Sequence, residues 1–159
     1  MTTAAEPTSD PERAVGELRA LLLAGQRFRQ AVADHFGLSL SETVVLGHLA
    51  DAGGQLMPSE LTERMLVGSG TLTAIIDRLA HAGHVQRRPH TRDRRRVHVA
   101  LTSAGCRIVR YTQQHLEQAE AAAQQVPSPP LRALATALHT ETDRMLHRRS
   151  PESATFPGS

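Results

Sequence analysis

The chain has 159 residues, so one domain is the expectation. Apolar residues make up 40% of it, but aromatics only 3%, with no Trp. That excludes an aromatic platform for stacking single-stranded nucleic acid and leaves an aliphatic core suited to helix packing. The net charge of +2 hides an uneven distribution. All eighteen basic residues are Arg. Residues 85–110 hold eight of them against the single acid Asp93, whereas residues 1–84 hold six against ten acids. Concentrated Arg marks a surface for a polyanion, the plain alternative being a solvated charge run. One cysteine, Cys106, excludes an internal disulfide or a Cys-rich zinc site. No window approaches the length of a membrane span, and the polar, acidic start MTTAAEPTSD has no signal-peptide pattern. A cytoplasmic protein with no membrane partner is expected.

Residues 1–9 read as a polar, disordered tail. Asp10-Pro11 then opens a helix over 11–36, with Val15, Leu18, Leu22, Val32 and Phe36 on one stripe and Leu21, Phe28 and Ala31 beside it. A stripe this wide predicts packing against a second subunit. Ser39-Leu40-Ser41-Glu42 is a capping box for a helix that turns Val45, Leu46 and Leu49 inward and stops at Ala52-Gly53-Gly54. Pro58-Ser59-Glu60 opens a short helix through Leu66. After the break at Gly68-Ser69-Gly70, a helix over about 70–82 carries Leu72, Ile75, Ile76 and Leu79 at helical spacing.

The period then changes to two. Val85 to Arg88 is a short strand, Pro89 to Arg94 a polar turn, and Val97, Val99 and Leu101 the inward residues of a second strand. Thr102 or Ser103 caps a helix over 103–126, with Ile108, Val109, Thr112, Leu116 and Ala119 on one face. Pro127-Ser128-Pro129-Pro130 breaks the chain before a last helix over 130–147, and 150–159 read as disordered.

Two short helices on a tight turn followed by an Arg-rich hairpin make a winged helix-turn-helix. The fold class is therefore mainly α with a small β-hairpin wing. A single domain spans 10–149, with the winged core over about 38–102. The second helix of the pair fits a DNA major groove. Opposite its apolar face lie Gly70, Thr73, Ala74, Asp77, Arg78 and His81. Ser69 and Thr71 sit at its start, where backbone N–H groups favour phosphates.

Residues 38–110 resemble the MarR family of bacterial transcriptional regulators. The matching stretches are Pro58-Ser59-Glu60-Leu61 with Glu63-Arg64, Ser69-Gly70-Thr71-Leu72-Thr73 and Ile76-Asp77-Arg78-Leu79. The most specific is Asp93-Arg94-Arg95 through Leu101-Thr102, close to the family pattern D-x-R-x5-L-T. The resemblance implies a homodimer joined through helices 11–36, 103–126 and 130–147. Each dimer would read a pseudo-palindromic operator in double-stranded DNA and act as a repressor released by a small anionic or aromatic effector. It implies DNA contacts from Ser69, Gly70, Thr71, Thr73, Ala74, Arg78, Arg88, Asp93, Arg94 and Arg95, with Asp93 orienting Arg95 into a minor groove whose negative potential attracts Arg. It also implies an effector cavity near His35, His48, Tyr111 and His115, residues that ordinary helix packing explains as well. One position departs from the pattern. The family often has Arg or Asn where this chain has Ala74, and Ala can touch only a thymine methyl.

Nine His invite a metal reading, but His81 and His84 lack further ligands nearby, and no metal or cofactor is expected. Cys106 reads as a half-buried, inert thiol. No phosphate-binding Gly loop with Lys, nucleophile elbow or H-E-x-x-H occurs, so no catalytic residue is assigned and a His-using enzyme has no motif behind it. The alternative to a DNA-binding regulator is a helical protein-interaction module whose winged lobe no longer binds DNA.

Overall fold

The computed structural model describes residues 11–89, 97–123 and 131–147. In chain order the elements are α1 (Pro11–Phe36), α2 (Leu40–Asp51), β1 (Gln55–Leu56), α3 (Pro58–Met65), α4 (Ser69–His81), β2 (Val85–Pro89), β3 (Val97–Leu101), α5 (Ser103–Ala123) and α6 (Leu131–His147). The chain forms two compact units, residues 1–114 and 115–159. The predicted tails, the hairpin tip and the Pro-rich break lie outside the described residues. No helix among the described residues is long and apolar enough to cross a membrane.

The first unit is built on the apolar spacing read above. Val45, Leu46 and Leu49 of α2, Leu61 of α3, Leu72, Ile75, Ile76 and Leu79 of α4, and Ile108 of α5 close on one core with Leu56, Val85 and Val99 of the strands. Removing such side chains from water contributes about 1.5–3 kcal/mol each, which holds α3 and α4 in one arrangement. Among the described side chains of α1 only Val32 and Ala33 are buried, near its end, where Gly37 turns the chain at φ 65° and Leu38 N–H donates to the Ala33 carbonyl. Val15, Leu21, Leu22 and Leu23 stay about half exposed.

Helix ends are set locally. Ser39 N–H donates to Glu42 Oε2 (2.7 Å) and Glu42 N–H to Ser39 Oγ (3.3 Å), the reciprocal pair expected of the capping box. At α3, Glu60 takes the Met57 N–H (2.7 Å), and Pro58 needs no partner for an N–H it lacks. This helix ends one residue earlier than its sequence pattern suggests. Leu66 leaves it as a left-handed cap at φ 53°, exposed, and begins the turn into α4. A branched aliphatic residue holds that conformation only because the packed helices on either side fix the turn.

The wing has one more strand than expected. β3 is central, with β2 antiparallel on one side and the two-residue β1 antiparallel on the other. The register pairs Gln55 and Gln86 with Ala100, Leu56 and Arg87 with Val99, and Val85 with Leu101. Val97, expected inward, is 37% exposed, because it pairs with Pro89 at the far end of the ladder, beyond the core. Ala100, expected outward, is only 4% exposed. On a central strand its methyl lies between two longer residues at the paired positions.

The junction of wing and α5 is the tightest in the unit. Thr102 is the cap: its Oγ1 accepts from Gly105 N–H (3.2 Å) and donates toward the carbonyls of Gly83 (2.7 Å) and His84 (3.1 Å). Thr102 N–H also donates to the His84 carbonyl (3.1 Å). A Cβ at Gly105 would collide with that same carbonyl oxygen. In the second unit α6 half-buries Leu134 and Leu138 and leaves Met145 exposed, and Arg144 bonds Glu141 across one turn (2.9 Å).

Gly105→Ala therefore has a diagnostic sign. Helix propensity alone favours Ala by about 1 kcal/mol. The backbone collision at His84 reverses this, and urea denaturation is expected to show a loss of about 2 kcal/mol or more.

Candidate nucleic-acid interface

The outward face of α4 carries Ser69, Gly70, Thr71, Thr73, Ala74, Asp77, Arg78 and His81, all exposed. Its other face is locked in the core by Leu72, Ile75, Ile76 and Leu79. Rotation of the helix would expose four buried side chains, so the outward set is fixed. Unlike α2, α4 has no side-chain cap: Gly68 stands at its N-cap, and its first turn holds no acid. The amide hydrogens there point at solvent with the positive end of the helix dipole behind them, which suits an anion. Thr73 uses its hydroxyl hydrogen on the Ser69 carbonyl (2.9 Å), leaving an acceptor oxygen and a methyl to face outward.

Arg78 on this face, Arg87 beside it and Arg88 further along β2 each have a partner. Arg78 Nε donates to Glu42 Oε1 (2.8 Å), joining α4 to the start of α2. Arg87 Nη2 donates to Asp77 Oδ1 (2.6 Å), joining β2 to α4. Arg88 lies two residues from Gln86 on the same side of β2. With the Gln86 amide turned so that its oxygen faces the guanidinium, it accepts from Arg88 Nη2 (2.7 Å) and Nε (3.1 Å). The sequence alone gives Glu42 only the cap and Asp77 no partner. Neither link follows from local spacing: 36 residues separate Glu42 from Arg78, and Asp77 and Arg87 lie on different elements.

Glu42 is the buried charged residue among those described, 7% exposed. Burial pushes its carboxyl upward, but the Ser39 backbone N–H and then Arg78 outweigh that and hold it below the usual carboxylate range. The wing-tip residues Asp93, Arg94 and Arg95 lie outside the described residues.

Of the four proposed effector residues, the structure brings two together. His35 and Tyr111 stack nearly parallel, 4.6 Å between centroids, and Phe36 meets both edge-on at 4.7 and 5.2 Å. Phe36, on the apolar stripe of α1, stands at the helix end beside α5 and is the third ring. His48 lies on α2, half-buried. Burial first, then the charge of Arg64, lowers its proton affinity, with Asp51 opposing. His115 begins the second unit. Cys106 is exposed rather than half-buried, because α5 turns Gly105 and Ile108 to the core and position 106 falls outside that stripe. No group of three His, Cys, Asp or Glu suited to a metal ion occurs among the described residues.

A sequence profile described as the MarR family matches residues 36–96. The HTH-type transcriptional regulator PecS of Dickeya dadantii (strain 3937) is 31% identical over 111 residues, 68% of this chain and 67% of that protein. The HTH-type transcriptional repressor YetL of Bacillus subtilis (strain 168) is 39% identical over 79 residues, 46% of this chain and 47% of that one. Among solved structures, NadR in complex with 4-hydroxyphenylacetate superposes with a TM-score of 0.63 at 22% identity, covering 89% of this chain and 97% of that chain. The last likeness is one of fold. The two relatives are named as regulators, not enzymes.

The two shifted groups give one sign for acid. His48 protonates less readily when folded than at its ordinary value of 6.5, so its share of stability is present above that value and drains as pH falls below it. Glu42, also lowered, keeps its share above the usual carboxylate range and loses it as pH falls through its own depressed value. Denaturant titrations at stepped pH are expected to show falling stability in both ranges. His48→Gln should remove the first fall and Glu42→Gln the second.

Proposed function

Because the chain belongs to the MarR family of transcriptional regulators, we propose that it acts as a homodimeric repressor that binds double-stranded DNA at a pseudo-palindromic operator and is released by a small aromatic or anionic effector. The observation that carries the DNA reading is the outer face of α4. It is rigidly aimed and uncapped at its N-terminus, and Arg78 and Arg87 stand at its edges. Ser69, Gly70 and Thr71 meet phosphate at the helix start, while Thr73, Ala74 and Arg78 face base edges. From the sequence alone, Asp93, Arg94 and Arg95 carry the wing into the flanking minor groove.

Dimerisation is supported by the half-exposed Val15, Leu21, Leu22 and Leu23 of α1, with Leu116 and Met145 in the second unit. Apolar side chains left in water along long helices gain stability by burial against a second copy. The effector reading rests on the ring group of His35, Phe36 and Tyr111 and on a fold neighbour crystallised with an aromatic carboxylate. His48 on α2 and His115 on α5 stay in the proposal only as the family resemblance implies them.

One observation favours a protein-interaction module instead: Ala74 stands where the family often has a base-reading Arg or Asn. Mobility shift of a duplex taken from the DNA flanking its own gene decides between the two. The regulator is expected to run at twice 17.3 kDa in solution and to retard that duplex. If the dimer neutralises about 6 phosphates, log K is expected to fall against log salt with a slope of about −5. Absence of retardation at low salt would leave the interaction module as the better reading.

The effector half of the proposal has its own measurement. Aromatic carboxylates, beginning with 4-hydroxyphenylacetate, are expected to weaken DNA binding, and DNA to weaken their binding, by one common factor of about 5–150. Tyr111→Leu with His35→Leu should abolish that coupling while sparing DNA affinity without ligand.

A further inference from the structure

We propose that Glu42 is a positioning residue for DNA recognition: buried in the first turn of α2, it grips Arg78 by its Nε, so that the two Nη groups are held facing the DNA. The inference rests on the DNA-binding reading above and assigns a role to a residue that itself touches no DNA.

The geometry has three parts. Both carboxylate oxygens of Glu42 are taken, Oε2 by the Ser39 N–H at 2.7 Å and Oε1 by Arg78 Nε at 2.8 Å. The carboxylate therefore cannot swing, because leaving either donor would strand a nearly buried charge. Arg78 is attached by the inner edge of its guanidinium, while its side chain remains 57% exposed on the face that carries Thr73 and Ala74. A planar guanidinium has five N–H donors in a rigid fork. With Nε committed inward, the end-on pair Nη1 and Nη2 is the edge that remains for an outside partner. That edge fits two adjacent acceptors, either O6 and N7 of a guanine or two oxygens of one phosphate. A free Arg would lose up to about 2 kcal/mol of rotamer entropy on docking, and one already gripped at Nε loses less. Because the grip comes from α2, it also ties the aim of Arg78 to the helix that packs on α1.

The charge makes the idea testable. Glu42 is an anion close to a surface meant for a polyanion. Simple electrostatics predicts that neutralising it tightens DNA binding, whereas positioning predicts weakening.

The test measures affinity for the duplex flanking the gene, and for a scrambled duplex, at one fixed salt, with melting temperatures recorded alongside. Glu42→Gln is expected to weaken binding about 5- to 100-fold, as Arg78→Ala does, and to add nothing further in the Arg78→Ala background. Ser39→Ala, which removes a cap hydroxyl but keeps the backbone N–H that Glu42 accepts, is expected to lower the melting temperature and leave affinity unchanged. Arg78→Lys keeps the charge without the fork and is expected to bind nearly as weakly as Arg78→Ala, a result that stands even if the Glu42 variant fails to fold. A drop on the gene-flanking duplex alone identifies a base contact. An equal drop on both duplexes, with a salt slope smaller by about 1, identifies a phosphate. Unchanged or tighter binding by Glu42→Gln, an undiminished Glu42→Gln effect without Arg78, or wild-type affinity in Arg78→Lys overturns the positioning role while the DNA reading survives. If the wild type binds neither duplex, the DNA reading falls and this inference falls with it.

Discussion

A carboxylate out of water must be given donors, and Glu42 receives two from different parts of the chain. One comes from three residues back and closes the first turn of α2. The other comes from α4, across the fold. The residue that starts one helix thus fixes the rotation of another, and the apolar contacts of Leu72, Ile75, Ile76 and Leu79 agree with the setting it imposes. Hydrophobic burial alone tolerates small slides and rotations of a helix; a directed pair of hydrogen bonds does not. Asp77 and Arg87 make the corresponding link sideways to β2, so the wing and α4 share a charge-assisted bond as well as a core.

The second constraint is the close approach of α5 to the start of β2. Thr102 carries the cap of α5 and the carbonyls of Gly83 and His84 on a single side chain, and Gly105 leaves room for it to do so. The Leu-Thr pair that ends the wing signature has a structural meaning here. Leu101 ends the central strand, and Thr102 turns it into a helix while satisfying carbonyls that the preceding turn would otherwise leave without partners. The wing and α5 are welded at this point.

Much of this was legible in the sequence because it is local or periodic. The capping box at Ser39, the four apolar positions of α4, the Gly turn at residues 53 and 54 and the period change at Val85 each follow from a few neighbouring residues. What was not legible depended on distance or on sheet position. β1 is two residues long, too short to show any period. Val97 and Ala100 obey the alternation of a strand, but their burial is decided by where the core ends and by which residues flank them across the ladder. The grip of Glu42 on Arg78, the pairing of Asp77 with Arg87 and the third ring at Phe36 all join segments that no spacing rule connects. The outward residues of α4 were readable as a face. Which of them are already committed to partners inside the protein was not.

The way α1 is seated has a mechanical consequence. Among its described side chains only Val32 and Ala33 are buried, and the ring group of His35, Phe36 and Tyr111 stands at that same end. At 1.5 Å per residue, Val15 lies roughly 27 Å from Ala33 along the helix axis. A tilt of about 5° at the seated end carries Val15 through roughly 2 Å, comparable to the helix shifts by which subunit interfaces switch. The rings stand at the fulcrum of a lever, and the exposed leucines at residues 21–23 ride along its arm.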